Sequence, residues 1–274
     1  MTLQTKSKCA YRWECSACTN AKPTPKGSNK GIRVYNFLRN SRLPVLSIVK
    51  FLRLWADSQT TIKYTMMELN IDKNTVVEWN GYVRQVCGWK VANLLKQPIG
   101  GPGMTVEIDE SLLAKRKNHK GRMLPEKWLF GGVCRETHAK FAVLVPDRTS
   151  ATLIPHIEAF IAPGSKIISD GWRSYQQLAV HPSYTFNWVN HSTNFVKVGD
   201  TKVHTQTIES MWRPYKDANR RRNGTHDTMM GSYVAEGLWR AALPPGKAVF
   251  EAILEDIAAF WPPGSHIDSL LFFK

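Results

Sequence analysis

At 274 residues, with 43% hydrophobic and 22% charged residues, the chain has the make-up of an ordinary globular protein with one large core or two modest ones. No apolar run approaches the roughly 20 residues a spanning helix needs, and the opening MTLQTKSKCAYRWECSAC has no apolar stretch to act as a secretory signal. A membrane partner is thereby excluded and a soluble, intracellular protein is expected, while the net charge of +15 favours a polyanionic partner.

The charge is unevenly placed. Residues 1–104 hold 16 of the 37 Lys and Arg but 5 of the 22 Asp and Glu, a surplus of 11, whereas the remainder carries a surplus of only 4. A basic front and a nearly balanced back predict a binding module joined to something that needs its carboxylates. Five cysteines, Cys9, Cys15, Cys18, Cys87 and Cys134, are odd in number and scattered, unlike a disulfide framework. Cys15 and Cys18 have the spacing of one zinc knuckle, yet a tetrahedral site needs two further ligands, so residues 1–31 read as a partial zinc-ribbon remnant and a linker.

Residues 32–97 read as a helical DNA-binding region. In LPVLSIVKFLRLWADS (43–58), Leu46, Val49, Leu52 or Arg53, and Ala56 fall at helical spacing, and Pro44 suits a first turn. Two more helical patterns flank the break NIDKN, with Asp72 or Asn74 as the cap of the second. A short helix, a tight turn and a longer helix carrying Lys73, Asn80 and Arg84 make a helix-turn-helix, with Lys73 and Arg84 as DNA contacts.

After KQPIGGPG (96–103) the pattern changes to an α/β domain over residues 104–242. MTVEIDES alternates, with Val106 and Ile108 on one face and Glu107 and Asp109 on the other. KWLFGGVCRE and KFAVLVPD follow as antiparallel strands, SATLIPHIEAFI as a helix, PGSKIISD as a buried strand, YTFNWVNH as a fifth strand and HTQTIESMWRPYKD as a helix. The result is a mixed five-stranded sheet with flanking helices. A helical tail at 243–274 places Phe250, Ile253, Leu254, Ile257 and Trp261 on one side.

Asp170, where a buried strand emerges, is either a local cap or a metal ligand. Asp109 sits mid-strand, where an unpaired carboxylate is costly to bury. If the two strands are neighbours, two like charges meet at the sheet centre and need a divalent ion between them. Glu209, at the border of the stripe Ile208, Trp212 and Tyr215, supplies a third acid. Glu107 shares Asp109's face and competes with it, Glu110 points the other way, and Asp147 reads as a turn residue.

VEIDESLLAKRKNHKGR, WLFGG, ISDGWRSY, VNHSTNF and HTQTIESMW resemble, in sequence and order, the DDE transposases of the Merlin superfamily and their bacterial insertion-sequence relatives. The resemblance implies an RNase H-like fold with Asp109, Asp170 and Glu209 as the catalytic, metal-binding acids and Glu107 as a neighbour. It implies cut-and-paste DNA transposition: metal-dependent strand cleavage at terminal inverted repeats, then strand transfer into target DNA. Two magnesium or manganese ions, a homodimer and a location in a eukaryotic nucleus or a bacterial cytoplasm follow from it. It also places Lys115, Arg116, Lys117, Lys120 and Arg122, together with Arg220, Arg221 and Arg222, near DNA phosphates. His191 and His204 become active-site neighbours, either orienting a phosphate or packed and hydrogen-bonded. Trp212 reads as core, and Pro214 is expected to break the Glu209 helix. The rival readings are a domesticated, catalytically silent DNA-binding protein and a structure-selective nuclease.

Overall fold

The computed structural model describes residues 2–6, 10–14, 29–31, 33, 36–39, 41–113, 127–189, 196–197, 200–222 and 224–262. Cys15, Cys18, Lys115, Arg116, Lys117, Lys120, Arg122 and His191 lie outside the described residues. The chain separates into two units, residues 1–86 with 245–274 and residues 87–244.

The first unit opens with a three-stranded antiparallel sheet of β1 (Thr2–Lys6), β2 (Ala10–Glu14) and β3 (Asn29–Gly31). Helix α1 (Val45–Ala56) packs against α2 (Ile62–Leu69) and against the C-terminal helix α7 (Val249–Phe260). The buried stripe of α1 is Ile48, Phe51, Leu52, Trp55 and Ala56, so that Leu52 and Ala56 lie inside as expected while Leu46 and Val49 are exposed and the stripe is turned toward Ile48, Phe51 and Trp55. Both stripes satisfy helical spacing. The sequence pattern favours neither, and the larger side chains Phe51 and Trp55 decide it by burying more area. On α7 the buried residues are Ala252, Ile253, Asp256 and Phe260, and Leu254, expected on the apolar side, is exposed.

Between α2 and α3 (Lys73–Leu94) the chain reverses through Asn70, whose φ of 50° is left-handed, and Asp72 caps α3 by accepting from the Thr75 amide at 3.0 Å. The expected short helix, tight turn and longer helix are therefore present. Lys73 is exposed at the start of α3. Arg84, expected to touch DNA, is only 4% exposed, because it falls on the same side of α3 as buried Val76, Val83 and Cys87. That corrects its assignment as a DNA contact.

The second unit holds a five-stranded sheet built from β4 (Thr105–Leu112), β5 (Trp128–Cys134), β6 (Lys140–Val145), β7 (Lys166–Asp170) and β8 (Thr185–Val189), in the order β6-β5-β4-β7-β8. The first three strands are antiparallel, and β7 runs parallel to both β4 and β8. This is the RNase H-like α/β arrangement. Helix α4 (Ser150–Phe160) and a 3₁₀ segment (Arg173–Val180) cover one face, where Val106, Ile108, Phe130, Leu153, Ile157, Tyr175 and Leu178 share a core. Helices α5 (Gln206–Arg221) and α6 (Asp227–Ala241) cover the other, preceded by the short pair β9 (Val196–Lys197) and β10 (Asp200–His204). Helix α5 runs through Pro214 for two further turns. Buried Met211, Trp212 and Tyr215 hold the segment in place despite the missing amide. Cys87 and Cys134 are both fully buried.

The choice of stripe on α1 is directly measurable. Phe51→Ala is expected to cost about 3–5 kcal/mol by the core-truncation rule, and Leu46→Ala to change stability by about 0.5 kcal/mol or less. Urea denaturation of the two variants checks it, and similar costs would restore the other face.

Candidate active site

Strand β4 is the central strand, and its two faces divide its residues as the alternation demands. Val106 and Ile108 enter the core, while Glu107 and Asp109 face α5. The parallel register pairs Thr105 with Lys166, Val106 with Ile167 and Glu107 with Ile168, so Asp109 and Asp170 each come two residues beyond the last pair, at one level on neighbouring strands. Asp170 Oδ1 accepts from the Trp172 amide at 3.0 Å, a local turn contact of the Asx kind.

Asp109 is set by a contact more than 100 residues away. Its Oδ2 accepts from Trp212 Nε1 at 2.8 Å. Across the ladder its partner is Gly131, and a Cβ there would lie 2.7 Å from Trp212 Cη2 and 2.7 Å from the Phe141 carbonyl. Glycine at 131 thus gives the indole its place beside the carboxylate. Its neighbour Gly132 meets the Phe141 ring at 2.5 Å in the same test. Burial pushes Asp109 up to about 6; the Trp212 hydrogen bond opposes the rise, and the charges of Asp170 and Glu209 add to it. The charges of both Asp170 and Glu209 thus reach Asp109.

Glu107 has a different duty. It is fully buried, and its Oε1 accepts from Arg135 Nε at 2.6 Å while its Oε2 accepts from the Ile208 amide at 2.9 Å. Arg135 Nη2 also donates to the His204 carbonyl at 2.7 Å, and His204 Nδ1 lies 3.5 Å from Glu107 Oε1. Thr205, at the N-cap of α5, makes no side-chain capping bond, so a carboxylate from the sheet does that work. Glu209, exposed in the first turn, has its amide bonded to the Thr205 carbonyl at 3.2 Å and its Oε1 3.4 Å from Thr205 Oγ1. Sequence reading treated Glu107 as a neighbour and passed over Arg135. The available signal was a second acid on the face of Asp109 and an arginine just past the next strand.

Carboxylate donors with nothing softer would suit a hard oxygen-seeking cation. Among the described residues no three His, Cys, Asp or Glu side chains are gathered into a ready metal cluster.

The family signature of the ISXO2-like transposase domain matches residues 99–242, just over half of the 274 residues and nearly all of the second unit. The chain belongs to this family. An "uncharacterized transposase-like protein" of Haemophilus influenzae is 32% identical over 100 residues, covering 36% of this chain and 78% of that one. Two solved structures are more remote. The HTLV-2 integrase catalytic core domain in complex with magnesium has a TM-score of 0.31 at 13% identity, over 57% of this chain and 98% of that one. The simian T-cell lymphotropic virus intasome in complex with PP2A regulatory subunit B56 gamma has a TM-score of 0.33 at 13% identity, over 74% of this chain and 73% of that one.

The remaining candidates of this ISXO2-like domain are placed as follows. His204 belongs to the Glu107 anchor. Trp212 is core, as expected, and also orients Asp109. Arg220, Arg221 and Arg222 are exposed at the end of α5, with Arg220 3.3 Å from Asp217 and the Arg222 guanidinium 3.8 Å from the Tyr233 ring centroid. On the opposite face of β4, Glu110 accepts from the Tyr175 hydroxyl; burial raises it to about 7, and the charges of Asp109 and Asp170 add to the rise. Asp147 is a turn residue, accepting from the Thr149 amide at 2.9 Å and from Thr152 Oγ1 at 2.7 Å.

Two expectations follow. Glu107→Ala leaves Arg135 without this partner and uncaps α5; by the rule for broken buried pairs it costs about 3–5 kcal/mol, and hydrogen exchange at the Ile208 amide accelerates. Glu107→Gln, which keeps an acceptor of the same size, costs less, and equal exchange rates in all three proteins would remove the anchor. For Asp109 the folded value lies above the ordinary 3.8, so its contribution to stability is full below about 4 and is lost as pH rises through about 6. In EDTA, Asp109→Asn should therefore gain on the wild type between pH 4 and pH 8, by on the order of 1–2 kcal/mol after allowing for its half-exposed position. Added magnesium should narrow the difference. Thermal melts across that range give the sign.

Proposed function

We propose that this chain is a Merlin-like DDE transposase that cleaves DNA at terminal inverted repeats and joins the freed end to target DNA. The observation that carries the reading is the half-buried Asp109 on the central strand, with the charges of both Asp170 and Glu209 acting on it. A site that raises a carboxylate in this way has a use for neutralising charge from outside, and Asp109, Asp170 and Glu209 are the residues that would hold it. Bound magnesium or manganese, as two ions, would supply activation of the attacking oxygen and stabilisation of the leaving one.

The chain's own part is positioning and charge. Trp212 keeps Asp109 turned toward the site, the Glu107–Arg135 pair holds the first turn of α5, and the Asp170–Trp172 contact fixes the end of β7. Exposed Arg220 and Arg221 would meet the DNA backbone from the end of α5. The α2–α3 pair, with Lys73 at the start of its second helix, would bind the repeat. A homodimer would bring two ends together.

The test is incubation with an inverted-repeat duplex and magnesium, alongside Asp170→Ala. Nicking at the repeat end should appear with the wild type and fall to background with the variant. Binding without cleavage would make the chain a silent DNA-binding protein, and cleavage indifferent to sequence would make it a nuclease.

A further inference from the structure

Beside the acids stands a cluster that the proposed chemistry does not use. Arg148 lies between two indoles, its guanidinium carbon 3.9 Å from the Trp128 ring centroid and 4.3 Å from that of Trp172. The Arg148 carbonyl accepts from Trp172 Nε1 at 3.2 Å and from Ser174 Oγ at 2.6 Å, and Ser150 Oγ donates to the Ser174 carbonyl at 2.8 Å. The turn after Asp170 is thus pinned to the loop before α4. The cluster lines an open cleft of about 500 Å³ whose rim includes Pro146 and Thr149.

The cluster is rigid, yet it is not closed. Trp172 remains 39% exposed, and Trp188, on the neighbouring strand end, is 53% exposed. Trp188 lies against the same turn, since a Cβ on Gly171 would come 3.2 Å from its Cε3. A purely structural arginine–indole stack gains most when its rings are buried; here two indoles border the Asp170–Gly171 turn and face water. Asp147, the one acid among the described residues lining the cleft, is held by Thr149 and Thr152 at the start of α4. Arg148 is partly exposed beside the two rings, and its charge also reaches Glu110 on β4.

A partly exposed indole beside a guanidinium suits a ligand with one flat apolar ring and one phosphate. In a chain of net charge +15, that ligand is a nucleotide. Bases within a duplex are already stacked on their neighbours and offer no face, so the nucleotide must be unpaired.

We propose that Trp172 and Arg148 form a stacking site for one unpaired nucleotide adjoining the phosphate that is cut. The inference rests on the DNA-cleaving reading above, and it names the form of DNA that reading requires: an end that is opened before or during cleavage. Trp172 connects the two, because its amide bonds to Asp170.

The experiment uses the full chain in EDTA, where no cutting occurs. One duplex is prepared blunt and another with three unpaired nucleotides at one end, the middle one 2-aminopurine. The wild type should bind the opened duplex about tenfold more tightly than the blunt one and quench the 2-aminopurine. Trp172→Ala should lose both the preference and the quenching while binding the blunt duplex as before, which also reports that it is folded. Trp172→Phe, which keeps a ring but not the Nε1 donor, should retain most of the preference. Equal wild-type affinity for the two duplexes would overturn the stacking site, as would a preference that survives in Trp172→Ala or a loss in Trp172→Phe as complete as in Trp172→Ala. If the inverted-repeat duplex is still nicked, only the stacking site falls. If neither duplex binds, the DNA-cleaving reading falls with it.

Discussion

The carboxylate of Glu107 is the contact on which the geometry of the second unit depends. An ionised group with no exposure is tolerated only when its charge and its lone pairs are met. Arg135 meets the charge, and the first turn of α5 meets an oxygen. The consequence is mechanical. Helix α5 cannot slide along β4 without stranding a buried charge, so Glu209, one residue after Ile208, keeps its place relative to Asp109. The Arg135 bond to the His204 carbonyl extends the tie to the strand that feeds the helix.

Two residues along the same strand face, Asp109 stands in contrast. Its donors are neutral, the Trp212 indole and the Glu110 amide, and the charges of two further acids reach it. One strand thus carries two carboxylates with opposite treatment: the first paired with Arg135, the second buried beside other acids and raised to about 6. The small residues of WLFGG serve the second. Gly131 opposes Asp109 across the ladder, and any side chain there would displace the indole that orients it.

Much of this was legible in the sequence where the signal is local. Strand alternation placed Asp109 on the face away from the core, the five strands came in their observed order, and Asp72, Asn70 and Asp147 sit at caps and turns whose chemistry lies within a few residues. What was lost is what depends on distant partners. The stripe of α1 has two solutions at equal spacing, and only packing against α2 and α7 chooses between them. Arg84 reads as a surface cation until Val76, Val83 and Cys87 place its side of α3 inside. Glu107 could not be told from a spare acid, because its partners lie 28 and 101 residues away. The Trp128–Arg148–Trp172 stack joins three separate segments and leaves no pattern in any of them.

The position of Asp170 shows why a local role and a chemical role need not compete. A carboxylate has two oxygens and about four lone-pair sites, so a single bond to the Trp172 amide uses a small part of its accepting capacity. That bond fixes the side chain's rotamer and couples it to the turn that carries Trp172. If Asp170 meets an ion as proposed, such fixing would lower the entropy lost on binding, because the rotamer is already chosen. The same turn then sets the distance between the acid and the exposed indole. On the proposed reading, cutting and holding an opened strand would thereby be properties of one short segment, Asp170 to Trp172, rather than of two sites that must be aligned separately.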